Sequence, residues 1–391
     1  MATRKTSFKN HILTDQKFHI IAFDVPYPPN YGGIVDVYYK LKTLHQVGGK
    51  IIYHCFYYDG HNPPHEELKK YCEEIHYYPR KKRIWKLLFS RLPYVIASRD
   101  NKAILKRLLK DDYPILFDGI QTCYWMNNRR LKNRKKIFRA NNIEHAYYAG
   151  LALWEQSKIK KIYFKLEAKK LARFESNLKD VNGILCVAKM DIPHFETYAK
   201  THHIPPFFHS IGKIEHLQEH TIKQVLFQGN LSVKENEHAA LFILKEVAPL
   251  TEIPIVIAGK NPSSILSEAI EKANLPHVKL IDTPSLEEMD DLIKNSRINL
   301  LMTFQQTGIK LKLLHALESG RHIIINDKMD DSGIFTAMCH TENTPHDIAS
   351  RINQLINIPF TSELKHERDL KFAEYYNNEQ NAKNILSIIH D

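Results

Sequence analysis

Short apolar runs alternate along the chain with longer stretches in which apolar side chains recur every three or four residues, the pattern of strands alternating with helices. Phe18 to Phe23 is the first such run. A helical pattern follows, with Ile34, Val37, Leu41, Leu44 and Val47 on one face and Gly48-Gly49 at its end, and then a second run from Ile51 to Tyr57. Runs at Ile115 to Phe117, Lys136 to Arg139 and Gly183 to Ala188 continue the array, with helical stretches from Lys158 to Leu178 and from Asp191 to Lys200. His202-His203-Ile204-Pro205-Pro206 reads as the exit to a linker. The pattern restarts after Thr221. Strands are expected at Gln224 to Phe227, Ile255 to Ala258, Val278 to Ile281, Ile298 to Met302 and His322 to Asn326, with helices at Glu237 to Val247 and Leu286 to Asn295. Two such arrays predict an α/β protein of two doubly wound, Rossmann-like domains facing across a cleft. The expected division is a basic tail over 1–17, a first domain over 18–205, a linker over 206–221, a second domain over 222–360 and a helical tail over 361–391.

In parallel sheets ligands sit beyond the carboxyl ends of the strands, against helix N-termini, so the loops there carry the candidate chemistry. The strand ending at Met302 breaks into a polar loop, Thr303 to Thr307, after which Gly308 is expected to open a helix that Gly320 ends. Free backbone N–H groups at Thr307, Gly308 and Ile309, the helix dipole, and Lys310 and Lys312 one turn in make a site for a phosphate or pyrophosphate. Two lysines two positions apart on a helix lie about 200° around its axis, so only one of them points straight at a phosphate. In the first domain Asp24 to Gly33 holds three prolines that forbid a helix and two glycines, Gly32 and Gly33, that let the backbone turn tightly. This loop lacks GxGxxG spacing, and no acidic residue closes the next strand, which disfavours a nicotinamide cofactor. The loops at Gln121 and at Asn141 to His145 lie at strand ends and face the same cleft.

Composition adds two constraints. With 391 residues, 43% of them hydrophobic, and no run of about 18 apolar residues, the chain suits a globular protein that does not span a membrane. The first residues are basic and polar with no apolar segment of the kind a secretory signal carries. The five scattered cysteines, without CxxC spacing, suggest reduced thiols in a cytoplasmic protein, and His202-His203 has no partner at metal-ligand spacing. Charge is uneven. Residues 1–205 hold 37 Lys and Arg against 19 Asp and Glu, and residues 206–391 hold 18 against 25. The basic half points to an anionic partner, and residues 79–110 interleave basic side chains with Ile84, Trp85, Leu87, Leu88, Phe89 and Leu92 in a manner suited to an anionic membrane surface. No aromatic-basic recognition motif accompanies the charge, so nucleic acid is not an expected partner.

Four motifs in chain order resemble those of the GT-B glycosyltransferases, and among them glycosyltransferase family 4 (group 1). They are Pro26-Tyr27-Pro28-Pro29 with Gly32-Gly33; Asn142-Ile143-Glu144-His145-Ala146-Tyr147-Tyr148; Gly229-Asn230-Leu231 with Lys234 and Asn236; and Gly308 through Gly320. The resemblance implies transfer of a sugar from a nucleoside diphosphate sugar to a glycan or lipid-linked acceptor, with no cofactor and no bound metal, retention of configuration, and a cytoplasmic site, peripheral at the inner membrane face. It places the donor on Gly32, Gly33, Gly229, Asn230, Lys234, Thr307, Gly308, Ile309, Lys310, Lys312 and His315, with Lys312 at the phosphates and His315 at the ribose or base. Asn141, Glu144 and Gln121 become the catalytic, acceptor-side candidates; Glu144 also reads as a helix-start residue. Several slots depart from the family. Thr307 and His315 stand where glutamates are common, Asn141 and Gln121 where histidines are, and Asn230 where an arginine is. A non-catalytic partner of another glycosyltransferase therefore stands as the second reading.

Overall fold

Among the described residues of the computed structural model every strand pair is parallel, so each connection is a crossover and helices must cover both faces of each sheet. The structure describes residues 17–29, 32–81, 90–155, 157–208, 222–304, 310–330 and 335–391. The first sheet holds β1 (Lys17–Ala22), β2 (Lys50–Tyr57), β3 (Glu74–Pro79), β4 (Ile115–Asp118), β5 (Lys136–Ala140), β6 (Gly183–Cys186) and β7 (Thr201–His203), in the order β3-β2-β1-β4-β5-β6-β7. The second holds β8 (Ile222–Gln228), β9 (Ile255–Gly259), β10 (Val278–Asp282), β11 (Ser296–Leu301), β12 (His322–Ile325) and β13 (His340–Thr341), in the order β10-β9-β8-β11-β12-β13. In each sheet the strand order reverses at the centre, between β1 and β4 and between β8 and β11. A crevice opens at such switch points.

The helices are α1 (Gly32–Gln46), α2 (Tyr94–Ala97), α3 (Lys102–Leu108), α4 (Glu144–Trp154), α5 (Lys158–Glu175), α6 (Ile192–Phe195), α7 (Lys234–Phe242), α8 (Ser264–Ala273), α9 (Leu286–Asn295), α10 (Leu311–Ser319), α11 (Pro345–Leu355), α12 (Ser362–Tyr375) and α13 (Asn378–His390). Several depart from the sequence pattern for identifiable reasons. The helix expected to run to Val247 leaves α geometry after Phe242, passing through a π turn at Ile243–Val247 and a 3₁₀ turn at Ala248–Leu250, where Pro249 removes a backbone donor. The helix expected to open at Gly308 begins at Leu311, with Lys310 as its N-cap; Thr307, Gly308 and Ile309 lie outside the described residues. His202 and His203, read as part of an exit, form the edge strand β7, and Ile204 and Phe207 after them are buried in the first domain's core.

Each sheet carries its own core. That of the first domain reaches beyond its sequence limits: Ala382, Ile385, Leu386 and Ile389 of α13 pack with Phe18, Ile20, Leu41 and Leu44. The last helix therefore covers the first sheet, whereas α12 packs through Phe372 on the second domain with Phe208, Leu313 and Leu317. A buried charge network sits where the first domain ends. Asp36 on α1 accepts hydrogen bonds from Arg139 (2.8 Å) and Phe207 N (2.7 Å) and pairs with Lys40 at 2.9 Å, while Lys40 also lies 2.7 Å from Asp118. Burial pushes the Asp36 carboxyl up, but Arg139 and Lys40 outweigh it and hold the group well below the usual carboxylate range.

Candidate active site

The donor-side candidates gather at the carboxyl ends of β8 and β11. Lys312, in the first turn of α10, donates from Nζ to Asn236 Oδ1 (3.0 Å) and to the carbonyl of Met302 (3.2 Å), and lies 5.4 Å from the centre of the Phe227 ring. Burial lowers its pKa to about 8, against an opposing pull from Glu235 and with a further push from Lys310. Lys310 stands at the helix mouth with a non-helical backbone (φ −87°, ψ 84°) and reaches within 3.7 Å of Glu235 Oε1. The 200° separation expected for two helical lysines does not apply, because only Lys312 is in the helix. Glu235 lies beside Lys310 and within electrostatic reach of Lys312. Glu235 also accepts from Thr303 Oγ1, and Thr303 is fixed by Asn326, which receives its N–H at 3.1 Å and donates to its carbonyl at 2.6 Å.

Asn236 ties this spot to the turn after β8. It donates to the Asn230 carbonyl at 3.0 Å, and a Cβ on Gly229 would meet its side chain at 3.0 Å. The neighbouring β9 comes closer still, since a Cβ on Gly259 would lie 1.8 Å from the Gly229 carbonyl oxygen, so only glycine fits there. Asn230 turns its own side chain back to Ser232, accepting from N at 3.1 Å and Oγ at 2.7 Å. Lys234 is held within α7 by both oxygens of Glu237 at 2.9 Å, and His315 faces Asp290 on α9 at 3.1 Å.

Across from these residues the first domain brings together Gln121, Asn141 and Glu144. Gly119 has a positive φ of 87°, and a Cβ there would lie 2.5 Å from Gln121 Oε1 and 3.3 Å from Asn141 Nδ2, so its bare backbone lets the two amides converge. Gln121 donates to Glu144 Oε1 at 3.3 Å, while Gln121 Oε1 and Asn141 Oδ1 are buried without a hydrogen-bond partner. Glu144 opens α4. Burial raises its carboxyl to about 7, hydrogen bonds from Asn142 and Gln121 pull it down, and Glu175 pushes it up. Tyr147, one turn along α4, feels both Glu144 and Glu235, which places the two sides of the cleft within electrostatic reach of one phenol. Gly32 and Gly33 open α1, and Val35 beside them packs on the cluster that contains Leu313 and Leu317 of α10.

Glu235 has no sequence signal, since an acidic residue in the first turn of a helix is ordinarily a dipole partner. A second unforeseen pair lies at the end of β1, where buried Asp24 accepts from His61 Nδ1 at 2.5 Å and from Tyr58 at 3.4 Å.

Residues 222–357 match the family model described as glycosyl transferases group 1. The whole chain overlays the crystal structure of TarM with a TM-score of 0.70 at 13% identity, over 97% of this chain and 99% of that one. The fold is GT-B. Trehalose-6-phosphate synthase OtsA overlays this GT-B chain with a TM-score of 0.64 at 9% identity, over 96% and 99% of the two chains. A curated relative from Klebsiella pneumoniae, described as an uncharacterized 44.6 kDa protein in the cps region, is 27% identical over 328 residues, 79% of this chain and 82% of its own. The group 1 match falls on the domain that carries Lys310, Lys312 and Asn236.

Proposed function

We propose that this chain is a glycosyltransferase that moves a sugar from a nucleoside diphosphate sugar to a glycan or lipid-linked acceptor in cell-surface polysaccharide synthesis. The carrying observation is the meeting of Lys310, Lys312 and Asn236 at the mouth of α10, opposite Glu144 and Tyr147. Departure of the diphosphate develops negative charge, and cations already fixed there lower the barrier without a metal on the phosphates. Glu144, with Gln121 and Asn141, serves the acceptor side, and the configuration at the transferred carbon is retained. Structures overlaying this one are described as complexes with UDP, for a S. aureus TarM variant, and with UDP-2-fluoro glucose, for the E. coli protein. The cps-region relative supports the polysaccharide setting.

A ligand that binds only the folded state must stabilise it, by about 2.7 kcal/mol at a hundredfold excess over Kd. One of UDP or GDP is therefore expected to raise the melting temperature. No shift with either at millimolar concentration favours the non-catalytic partner, a reading motivated by Thr307 and His315 and by the capture of His315 by Asp290. For the transferase, Glu144→Gln lowers turnover by about 100-fold or more, the range of a lost acid–base group. Nucleoside diphosphate affinity stays within about twofold in the same variant, because Glu144 belongs to the other domain. Unchanged turnover removes Glu144 from the chemistry.

The reading includes docking on an anionic membrane. No described helix is long and apolar enough to cross one. Yet α5 turns Ile159 (81% exposed), Ile162 (60%) and Leu166 (53%) to solvent, flanked on the same helix by Lys158, Lys165 and Lys169. Apolar side chains between lysines suit the headgroup layer. Of the basic run in 79–110, Arg80 is instead held over the rings of Tyr58 (4.7 Å) and Tyr94 (5.2 Å), and Lys81 pairs with Asp100 at 2.8 Å; residues 82–89 lie outside the described residues. Replacing Ile159, Ile162 and Leu166 together with Ser is expected to weaken binding to anionic vesicles by about tenfold or more, with the fold intact. Equal sedimentation of parent and variant with vesicles would remove this surface.

A further inference from the structure

Next to Glu144, three helices place two imidazoles on either side of a buried carboxylate. Glu175, at the end of α5, is 1% exposed. Its Oε2 lies 2.8 Å from His145 Nδ1, at the start of α4, and 3.0 Å from His194 Nε2, on α6. The His145 side chain is 32% exposed and that of His194 is 26% exposed. The potential ligand atoms of all three residues lie within 4.8 Å of one another.

We infer that His145, Glu175 and His194 form a binding site for a divalent transition-metal ion of the zinc type. Charge is the first argument. A buried carboxylate is costly unless compensated, and among the described residues Glu175 is paired with no lysine or arginine. Its partners are the two imidazoles, and a dication shared by the three groups would compensate the carboxylate directly.

Geometry is the second argument. Ligand atoms about 2.0–2.2 Å from a tetrahedral ion lie roughly 3.3–3.5 Å apart, so the 2.8 and 3.0 Å contacts need to open slightly, and the separation between the two imidazoles, within 4.8 Å, to close by up to about an ångström. Small rotations of side chains that are about one-third exposed accomplish this. Chemistry is the third. Two imidazoles and one carboxylate suit zinc, cobalt or nickel, whereas magnesium and calcium prefer an all-oxygen shell. The open side of both histidines leaves room for water to complete the shell. No step of the proposed transfer uses these three side chains, although Glu175 adds to the upward push on the neighbouring Glu144 carboxyl. Its effect is to pin the start of α4 to the end of α5 and to α6.

The sequence could not disclose this set, because the residues are far apart in the chain and none has a second ligand at short spacing. The test uses the full chain after chelator treatment and dialysis. Zinc titrated by calorimetry is expected to bind in one equivalent with micromolar or tighter affinity. Cobalt in its place is expected to show visible absorption bands of low coordination number, and zinc to raise the melting temperature. His194→Ala and Glu175→Gln should each weaken zinc binding by more than about tenfold and abolish the cobalt bands. Excess magnesium should not compete. His194 is partly exposed, so its variant keeps the fold if Glu175→Gln does not. No zinc binding by the parent, or binding that His194→Ala leaves within tenfold, overturns the inference and leaves a hydrogen-bonded His–Glu–His cluster.

Discussion

Asp36→Ala is expected to destabilise the fold by about 3–5 kcal/mol, the range for removing one partner of a buried ion pair. Asp36 is the carboxylate on which Arg139, Lys40 and the Phe207 amide converge. Without it, two buried cations are left with Asp118 and the carbonyls of Ile204 and Pro205, which Arg139 contacts at 3.2 Å. Chemical denaturation of parent and variant measures the loss, and a difference below about 1 kcal/mol would show the network to be dispensable. The pH dependence has a definite sign. Because the folded-state pKa of Asp36 is depressed to about 2, its contribution is fully present above the ordinary carboxylate pKa and is lost as pH falls from there through about 2. The Ala variant should therefore show a shallower loss of stability on acidification.

Lys312→Ala is expected to weaken nucleoside diphosphate binding by about 1.5–3 kcal/mol, the scale of a charge-assisted hydrogen bond. In the free protein its ammonium is held by Asn236 and the Met302 carbonyl, which aim it without neutralising it. Lys310→Ala should cost less, since Lys310 already faces Glu235 at 3.7 Å. With the Lys312 pKa near 8, the charged form prevails below that pH and is lost above it. Diphosphate affinity of the parent should decline as pH rises through about 8, more steeply than in the Ala variant. Calorimetry with the diphosphate and the monophosphate decides the matter. An equal loss for both ligands, or none for either, means that Lys312 does not hold the pyrophosphate.

How much of this was legible follows from what each element presents to its surroundings. The central strands announce themselves, since Ile255 to Ala258 or Ile323 to Ile325 are buried on both faces and read as continuous apolar runs. Edge strands do not. β3 (Glu74–Pro79) mixes charge and aromatics because one margin meets solvent, and β7 is three residues long. The place of Lys310 and Lys312 beyond β11 was legible because helix mouths follow strands. Their backbone was not, because a helix start depends on the loop before it. Gln121, Asn141 and Glu144 were readable as strand-end loops, yet their convergence depends on Gly119, whose bare Cα admits both amides. Glu235 and the His145–Glu175–His194 set were invisible, since tertiary packing brings each to its partners.

The return of α13 to the first sheet has a mechanical corollary. The polypeptide passes between the domains twice, once after β7 and once between α12 and α13, and both crossings are anchored: Arg139 grips the carbonyls of Ile204 and Pro205, and Asn378 donates to the Phe208 carbonyl at 2.8 Å. The two anchors lie on separate stretches of chain, so each domain is tied to the other at two points. Trimming the last fourteen residues would strip Ile385 and Ile389 from the first domain's core. The stretch expected as a helical tail over 361–391 is thus divided, its last helix completing the first domain's core.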